Sequence, residues 1–572
     1  MLSFLTKIGK FSPGSFRSEI GVLLVLFALT ILVWLPRLNG PLDPRWDASA
    51  YYILGTSLAE GKGYKLLNEP GEIDAVQYPP LLPAIIAVHQ WFAGTSDFFV
   101  VGHWLRISFF ILFIAYILSA YALLRIYLPL RYAFLATLIF LFHYNTIYTS
   151  DNLLTEIPYG FVIILFLLCH QKSGKRVYSV LSVILLASLF ALRTAGVAML
   201  AAWIGESLLN REFKKAFLRI TLSLIPILCW QSYIAAVEHS PQYRQPAYEY
   251  QRADYMYPNV TYAKNVFRLK NSFSPELGPT SLKDVAGRFL YNSAAVPLWL
   301  GEAVSSGQSN WSVIWDEFDR RLAPFPPSPR ILIRCALIII GLLALGGICL
   351  QLFRRQWIIP LYVLISIALM CLTPWPWVFP RYLVPLSPLL ILSLFLMLIS
   401  LQALSRRVLP AGLKFTGVIL TSTLLALILI LEVAIVLHMY RNSRPWVVYE
   451  DRNGQVVKYR LFYFYEHDQN LNVGLDWLNR RARPEDVVAV QEPHWAYLHT
   501  GLKAVLPPFE LNPEKAQHLL DSVPATYLIV DENDYLTRKY TEAVVKTFPD
   551  RWKRVFSTPD KRLEIYERVS EN

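Results

Sequence analysis

The chain reads as an α-helical polytopic membrane protein with about eleven transmembrane helices and a soluble α/β domain at its C-terminal end. Three observations carry that reading: composition, the length of the apolar runs, and the placement of the basic residues. Of 572 residues, 54% are hydrophobic, 14% aromatic and only 17% charged, with a mean hydropathy of +0.37; a soluble globular chain carries about 25% charged residues. Lipid therefore solvates most of the chain, and because a backbone in lipid must satisfy its own hydrogen bonds, helices are what it forms there.

The runs apolar enough to cross a hydrocarbon core of roughly 30 Å lie near residues 20–38, 99–124, 132–148, 152–170, 177–192, 195–209, 216–238, 331–352, 357–373, 381–401 and 415–439. The first follows Lys7, Lys10 and Arg17 and has no small-residue cleavage site behind it, so it reads as an uncleaved anchor. Leu81 to Gly94 is apolar but short, the length of a re-entrant or interfacial helix. With that segment not crossing, alternate loops hold Arg125 and Arg131, then Lys172, Lys175 and Arg176, then Arg211, Lys214 and Lys215, then Arg354 and Arg355, then Arg406, Arg407 and Lys414. Every loop on one side is basic, as the positive-inside rule requires of the cytoplasmic face. This accounts for the net charge of +12 without nucleic acid. Cys169, Cys229, Cys335, Cys349 and Cys371 fall in or beside apolar runs with no CxxC spacing, which argues against a disulfide framework or a zinc site.

The expected division is a membrane domain over 1–440 and an extracytoplasmic α/β domain over 441–572, in a multi-pass protein of the inner or plasma membrane. Two large outer loops, 39–98 and 239–329, belong to the first. The second loop is rich in Tyr, Trp, Pro and Asn, which suits a segment lying on the interface, and so long a loop is usually functional. In the tail, Val473–Ala482 and Pro513–Leu520 have helical spacing, while Val487–Val490 and Tyr527–Val530 read as strands. His494 and His499 stand five apart, which is not the spacing of a zinc helix, and read as a packed or solvated pair.

Ionisable groups near a membrane are expensive and are functional candidates by default. On the outer face these are Asp47 after the first span, Asp151 and Glu156 at the outer end of the fourth, Arg106 near the outer end of the second, Arg193 in the turn Leu-Arg-Thr-Ala-Gly, and Arg381 in Phe-Pro-Arg-Tyr-Leu-Val-Pro. Acids with several arginines on one face suit a transfer reaction on an anionic lipid: a carboxylate takes the proton of an attacking hydroxyl, and guanidinium forks hold a departing phosphate. Each residue also has a plainer reading. Asp47, Asp151 and Glu156 suit helix starts, the arginines can snorkel, Trp104 beside Arg106 marks an interfacial anchor, and Tyr78-Pro79-Pro80 can be a turn into a helix.

The Asp47 segment with Tyr51-Tyr52, Glu60-Gly61-Lys62-Gly63-Tyr64, Tyr78-Pro79-Pro80-Leu81-Leu82-Pro83, Ser150-Asp151 to Glu156, and Pro380-Arg381-Tyr382 resemble, in that order, the GT-C superfamily of membrane glycosyltransferases. Within it the likeness is to the family 39-like group of bacterial dolichyl-phosphate-mannose protein mannosyltransferases and aminoarabinose transferases, over about residues 20–400. The resemblance implies transfer of a sugar from a polyprenyl-phosphate donor to a hydroxyl of a lipid, glycan or protein on the extracytoplasmic side. It implies Asp47 as the catalytic base, Asp151 or Glu156 as the second outer acid, and Arg381 facing the donor phosphate; Arg106, Arg193, Tyr382 and Tyr78 are further candidates for donor or acceptor contacts from their place at the same face. A divalent metal ion is a possible cofactor. Aminoarabinose transferases carry an acidic then a basic residue directly before the Pro-Pro pair, where this chain has Gln77 and Tyr78; a metal ligand and a phosphate-contacting lysine are missing at that spot. The alternative reading is a non-enzymatic transporter of lipid-linked sugars or solutes. Transporters commonly show internal repeats and charge near the midplane; neither stands out here.

Overall fold

The computed structural model of the protein describes residues 13–322, 330–408, 410, 415–442, 446–451, 454–464 and 466–569; Lys7, Lys10 and Lys414 of the expected basic flanks lie outside them. All eleven expected spans are helical over most of their length. Among the described residues six helices are long and apolar enough to cross a bilayer: Ser18–Arg37, Phe98–Tyr127, Phe213–Glu238, Arg330–Phe353, Pro376–Val408 and Thr416–Arg441. Shorter apolar helices cover Leu130–Phe142, Glu156–His170, Arg176–Leu192, Thr194–Leu209 and Ile358–Cys371. The short segment after the Pro-Pro pair forms the 13-residue helix Leu81–Ala93, ended by Gly94 in a left-handed conformation at φ +65°. It packs on the helix Asp47–Ala59 at Gly55, where a Cβ would meet the Ile86 side chain at 2.6 Å.

The short helices are short because the chain breaks where it meets the polar residues. The expected span 132–148 is two helices, Leu130–Phe142 and Tyr144–Ser150, parted at His143, whose ring contacts the Thr146 hydroxyl at 3.2 Å and the Glu302 carbonyl at 3.1 Å. The next helix starts only at Glu156. Arg193 is an extended residue between two helices, and Pro376–Leu386 runs through three short turns. Irregular backbone beside lipid is tolerated only where protein buries it or it lines a cavity, and Arg193 and Arg381 both line one.

The 239–329 segment is not simply an interfacial loop. It contains the 24-residue helix Leu282–Ser305, packed so tightly on Arg330–Phe353 that a Cβ on Gly301 would lie 2.0 Å from the Leu337 carbonyl, and one on Gly341 1.8 Å from that of Pro297. Small residues at a helix crossing let two backbones approach in this way. Lys283, Asp284, Arg288 and Glu302 interrupt its apolar pattern, which hides a packed helix from any reading based on hydropathy.

Beyond the last long helix, a hairpin of β1 (Trp446–Glu450) and β2 (Val456–Arg460) precedes a five-stranded sheet of β3 (Val487–Ala489), β4 (Lys503–Val505), β5 (Ala525–Asp531), β6 (Trp552–Ser557) and β7 (Leu563–Arg568). The order is β4-β3-β5-β7-β6; β3 pairs parallel with β4 and β5, and β7 antiparallel with β5 and β6. This unit rests on the segments 39–98 and 239–322. Asn68 exchanges hydrogen bonds with Ala504, its side-chain Nδ2 donating to the Ala504 carbonyl at 3.1 Å and its backbone carbonyl accepting from the Ala504 N–H at 2.8 Å. Lys503 reaches Glu72 at 2.9 Å, the Tyr250 hydroxyl donates to the Leu506 carbonyl at 3.0 Å, and Arg45 pairs with Asp468.

Candidate active site

Trp46 turns the chain into the Asp47–Ala59 helix with φ +58° and ψ −131°, a positive-φ conformation that costs a bulky residue on the order of 1–3 kcal/mol and survives only where the surroundings impose it. Asp47 therefore begins the helix without capping it. Its Oδ1 accepts from the Tyr78 hydroxyl at 2.9 Å and its Oδ2 lies 2.7 Å from Arg381 Nη2. Arg381 Nε in turn lies 2.6 Å from Glu156 Oε1, and Arg193 Nη1 reaches the same oxygen at 2.6 Å. The Arg193 guanidinium sits over the Tyr382 ring, 4.9 Å from its centroid. Glu156 is fully buried, while the side chains of Asp47, Arg193 and Arg381 stay 17 to 25% exposed.

The sequence separates these residues by more than three hundred positions, and the fold gathers them into one chain of charge. Asp47, Tyr78, Arg193, Arg381 and Tyr382 line a cavity of about 1410 Å³, together with Tyr51, Tyr262, Trp375 and Trp377. Glu156 stands behind them and fixes both guanidiniums with one oxygen. Among the described residues, Arg381 Nη1 and Arg193 Nη2 make no hydrogen bond within the protein, so the wall offers fork-shaped cationic donors to an anion. Burial, with Asp47 next in importance, raises the Tyr78 phenol above its ordinary range, which keeps it a donor to the carboxylate.

Arg106 and Asp151 lie elsewhere. Asp151 Oδ1 is 2.7 Å from Arg37 and 3.3 Å from Arg106, its Oδ2 accepts from the Phe462 N–H, and Arg106 also donates to the carbonyls of Arg37 and Pro41. Both arginines are wholly enclosed, and the cluster does not line the cavity. It ties the first long helix, the segment that follows it and the tail together.

The tail supplies part of the cavity wall through Gln491, Glu492, His494, Asp534 and Tyr535, none of which the sequence reading placed in the site. Burial beside Asp468 and Asp534 pushes the Glu492 carboxyl up to about 8. Burial pushes the His494 imidazole down to about 4, against the opposing pull of Asp47. The two histidines considered as a pair part company: His499 Nε2 lies 2.8 Å from Asp476, packed among Tyr449 and Trp495. Where a metal ligand and a lysine would stand by resemblance, Gln77 accepts from Asn265 at 3.0 Å and Tyr78 donates to Asp47. Among the described residues no group of three or more His, Cys, Asp or Glu is placed to hold a metal ion.

Fold and site define a polytopic helical membrane protein whose polar cavity, edged by broken helices, is closed in part by an α/β domain. It is similar in fold to the oligosaccharyltransferase of Archaeoglobus fulgidus in the apo form, at 13% identity over 97% of this chain and 74% of that one, with a TM-score of 0.47. It is also similar to ArnT from Cupriavidus metallidurans bound to undecaprenyl phosphate, at 11% identity over 98% of this chain and 99% of that one, TM-score 0.47. A third likeness is to the arabinofuranosyltransferase AftD from Mycobacteria, at 14% identity over 96% of this chain and 40% of that one, TM-score 0.41. No protein-family profile and no curated protein sequence matches the chain.

Proposed function

We propose that the protein is a membrane glycosyltransferase that moves a sugar from a polyprenyl-phosphate donor to an acceptor hydroxyl on the extracytoplasmic side. The observation that supports this reading above the others is the unbroken contact series Tyr78, Asp47, Arg381, Glu156, Arg193 on one aromatic-walled cavity. Asp47 takes the proton of the acceptor hydroxyl as its oxygen bonds to the sugar's anomeric carbon. The bond from that carbon to the phosphate oxygen breaks, and polyprenyl phosphate leaves as an anion against Arg381 and Arg193. Glu156 holds the two guanidiniums in place, and the membrane-embedded apolar walls accommodate the lipid. No general acid is required on the leaving side, because a phosphate departs as a stable anion.

The test is transfer of radiolabel from polyprenyl-phosphate sugars by the purified full-length protein in nanodiscs. Asp47→Asn should lower turnover by about a hundredfold to ten-thousandfold, the usual worth of a positioned base, while keeping the wild-type melting temperature. A well-folded Asp47→Asn protein with undiminished transfer ends the assignment of the base.

A further inference from the structure

The cavity has two polar walls of opposite character. One is the pair of arginines; the other is the turn from Gln491 to His494 in the C-terminal domain, which enters the helix Pro493–Thr500. His494 is 5% exposed, lines the cavity, and its Nε2 is buried with no hydrogen-bond partner. Gln491 Nε2 on the same turn is likewise buried and unpartnered. An orphaned polar atom costs about 1–3 kcal/mol when left unsatisfied, so two on one cavity-lining turn mark a place where a ligand can supply the missing bonds. The turn also lies beside the proposed base: the Glu492 carboxyl feels the Trp46 backbone, and His494 feels the charge of Asp47.

The chemistry of this wall is unlike that of the arginine wall. Its polar lining is Gln491, Glu492, His494, Asp534 and Tyr535, with no cation among them. Arg45, the nearby basic residue, is already paired with Asp43 and Asp468. Such a surface matches hydroxyl groups, which both donate and accept, and gives a phosphate no counter-charge.

We propose that the Gln491–His494 turn is the acceptor subsite, with His494 Nε2 and Gln491 Nε2 hydrogen-bonding an uncharged polyhydroxyl acceptor beside Asp47, and that it disfavours acceptors phosphorylated near the reacting hydroxyl. This rests on the glycosyltransferase reading and deepens it by separating the acceptor's wall from the donor's.

The experiment is a competition footprint on the full-length protein in nanodiscs, which needs no turnover. Diethyl pyrocarbonate reports the free nitrogen of His494 and phenylglyoxal reports Arg381, each read by peptide mass spectrometry. Hexyl β-D-glucoside should slow labelling of His494 and leave Arg381 unchanged; undecaprenyl phosphate should do the reverse; hexyl glucoside 6-phosphate should protect His494 less than the neutral probe. No protection of His494 by the neutral probe, protection by undecaprenyl phosphate, or stronger protection by the 6-phosphate overturns the acceptor proposal. Failure of undecaprenyl phosphate to protect Arg381 instead overturns the donor reading, and leaves the His494 result legible. In the transfer assay His494→Ala should raise the acceptor KM about tenfold, the worth of one hydrogen bond, with the donor KM unmoved. His494→Gln should recover most of that loss, and equal rises in both KM values count against the subsite.

Discussion

Two arginine–carboxylate clusters stand near the same end of the helix bundle and are made of the same chemistry, yet they invite different uses. In one, Asp151 is enclosed between Arg37 and Arg106, and backbone groups of Pro41 and Phe462 join it. In the other, Glu156 and Asp47 hold Arg193 and Arg381 at the edge of a large cavity, with guanidinium donors left over. Ionic residues in a membrane protein are therefore not functional merely by being there. A sealed triad holds parts together, because breaking a buried pair exposes an uncompensated charge. One that lines a cavity offers its remaining donors to a ligand.

The sharpest way to break this contrast is to neutralise one acid in each. Asp47→Asn should abolish most transfer and spare the fold, whereas Asp151→Asn should destabilise by about 3–5 kcal/mol, the cost of breaking a buried pair, seen as a lower melting temperature and poor recovery from membranes. An Asp151→Asn protein of native stability would place the triad with the functional residues after all. Next in size is Arg381→Lys, which keeps the charge but loses the fork that bridges Asp47 and Glu156. The donor KM should rise by about tenfold or more with the acceptor KM little changed, as expected for loss of bidentate phosphate recognition.

The smallest effect sharpens the same idea in the tail. Because the folded carboxyl of Glu492 titrates near 8 and an unfolded one near 4.5, folding is penalised as pH rises from about 4.5 to 8, and the penalty is constant above that. Glu492→Gln removes it, so the variant's melting temperature should match the wild type at pH 4 and exceed it at pH 9, read by differential scanning fluorimetry. His494 runs the opposite way: its lowered value costs stability as pH falls from about 6.5 to 4.

Much of this was readable beforehand for a definite reason. Crossing lipid forces long apolar helices, and that pressure writes itself into local composition, so the six long spans and the break at Leu81 are visible residue by residue. The tail helices near 473–482 and 513–520 and the strands near 487–490 and 527–530 are equally local patterns, and they fall on Glu466–Arg481, Pro513–Asp521, β3 and β5. Asp47, Arg193 and Arg381 could be singled out because charge beside a membrane is costly. The helix Leu282–Ser305 could not, since Lys283, Asp284, Arg288 and Glu302 interrupt its apolar pattern and its close fit to Arg330–Phe353 at Gly301 and Gly341 is a property of packing.

What sequence determined alone, then, was the solvent of each segment and the identity of the expensive charges, because both follow from free energies paid residue by residue. Which acid joins Asp47 was settled only by tertiary structure: Asp151 and Glu156 are five positions apart, and a turn between two helices sends them to different neighbours. The same holds for His494, an ordinary histidine in the tail until the sheet docks on the 39–98 and 239–322 segments and brings it to the cavity. Proximity between distant residues is a property of packing, and nothing in the local pattern around either one encodes it.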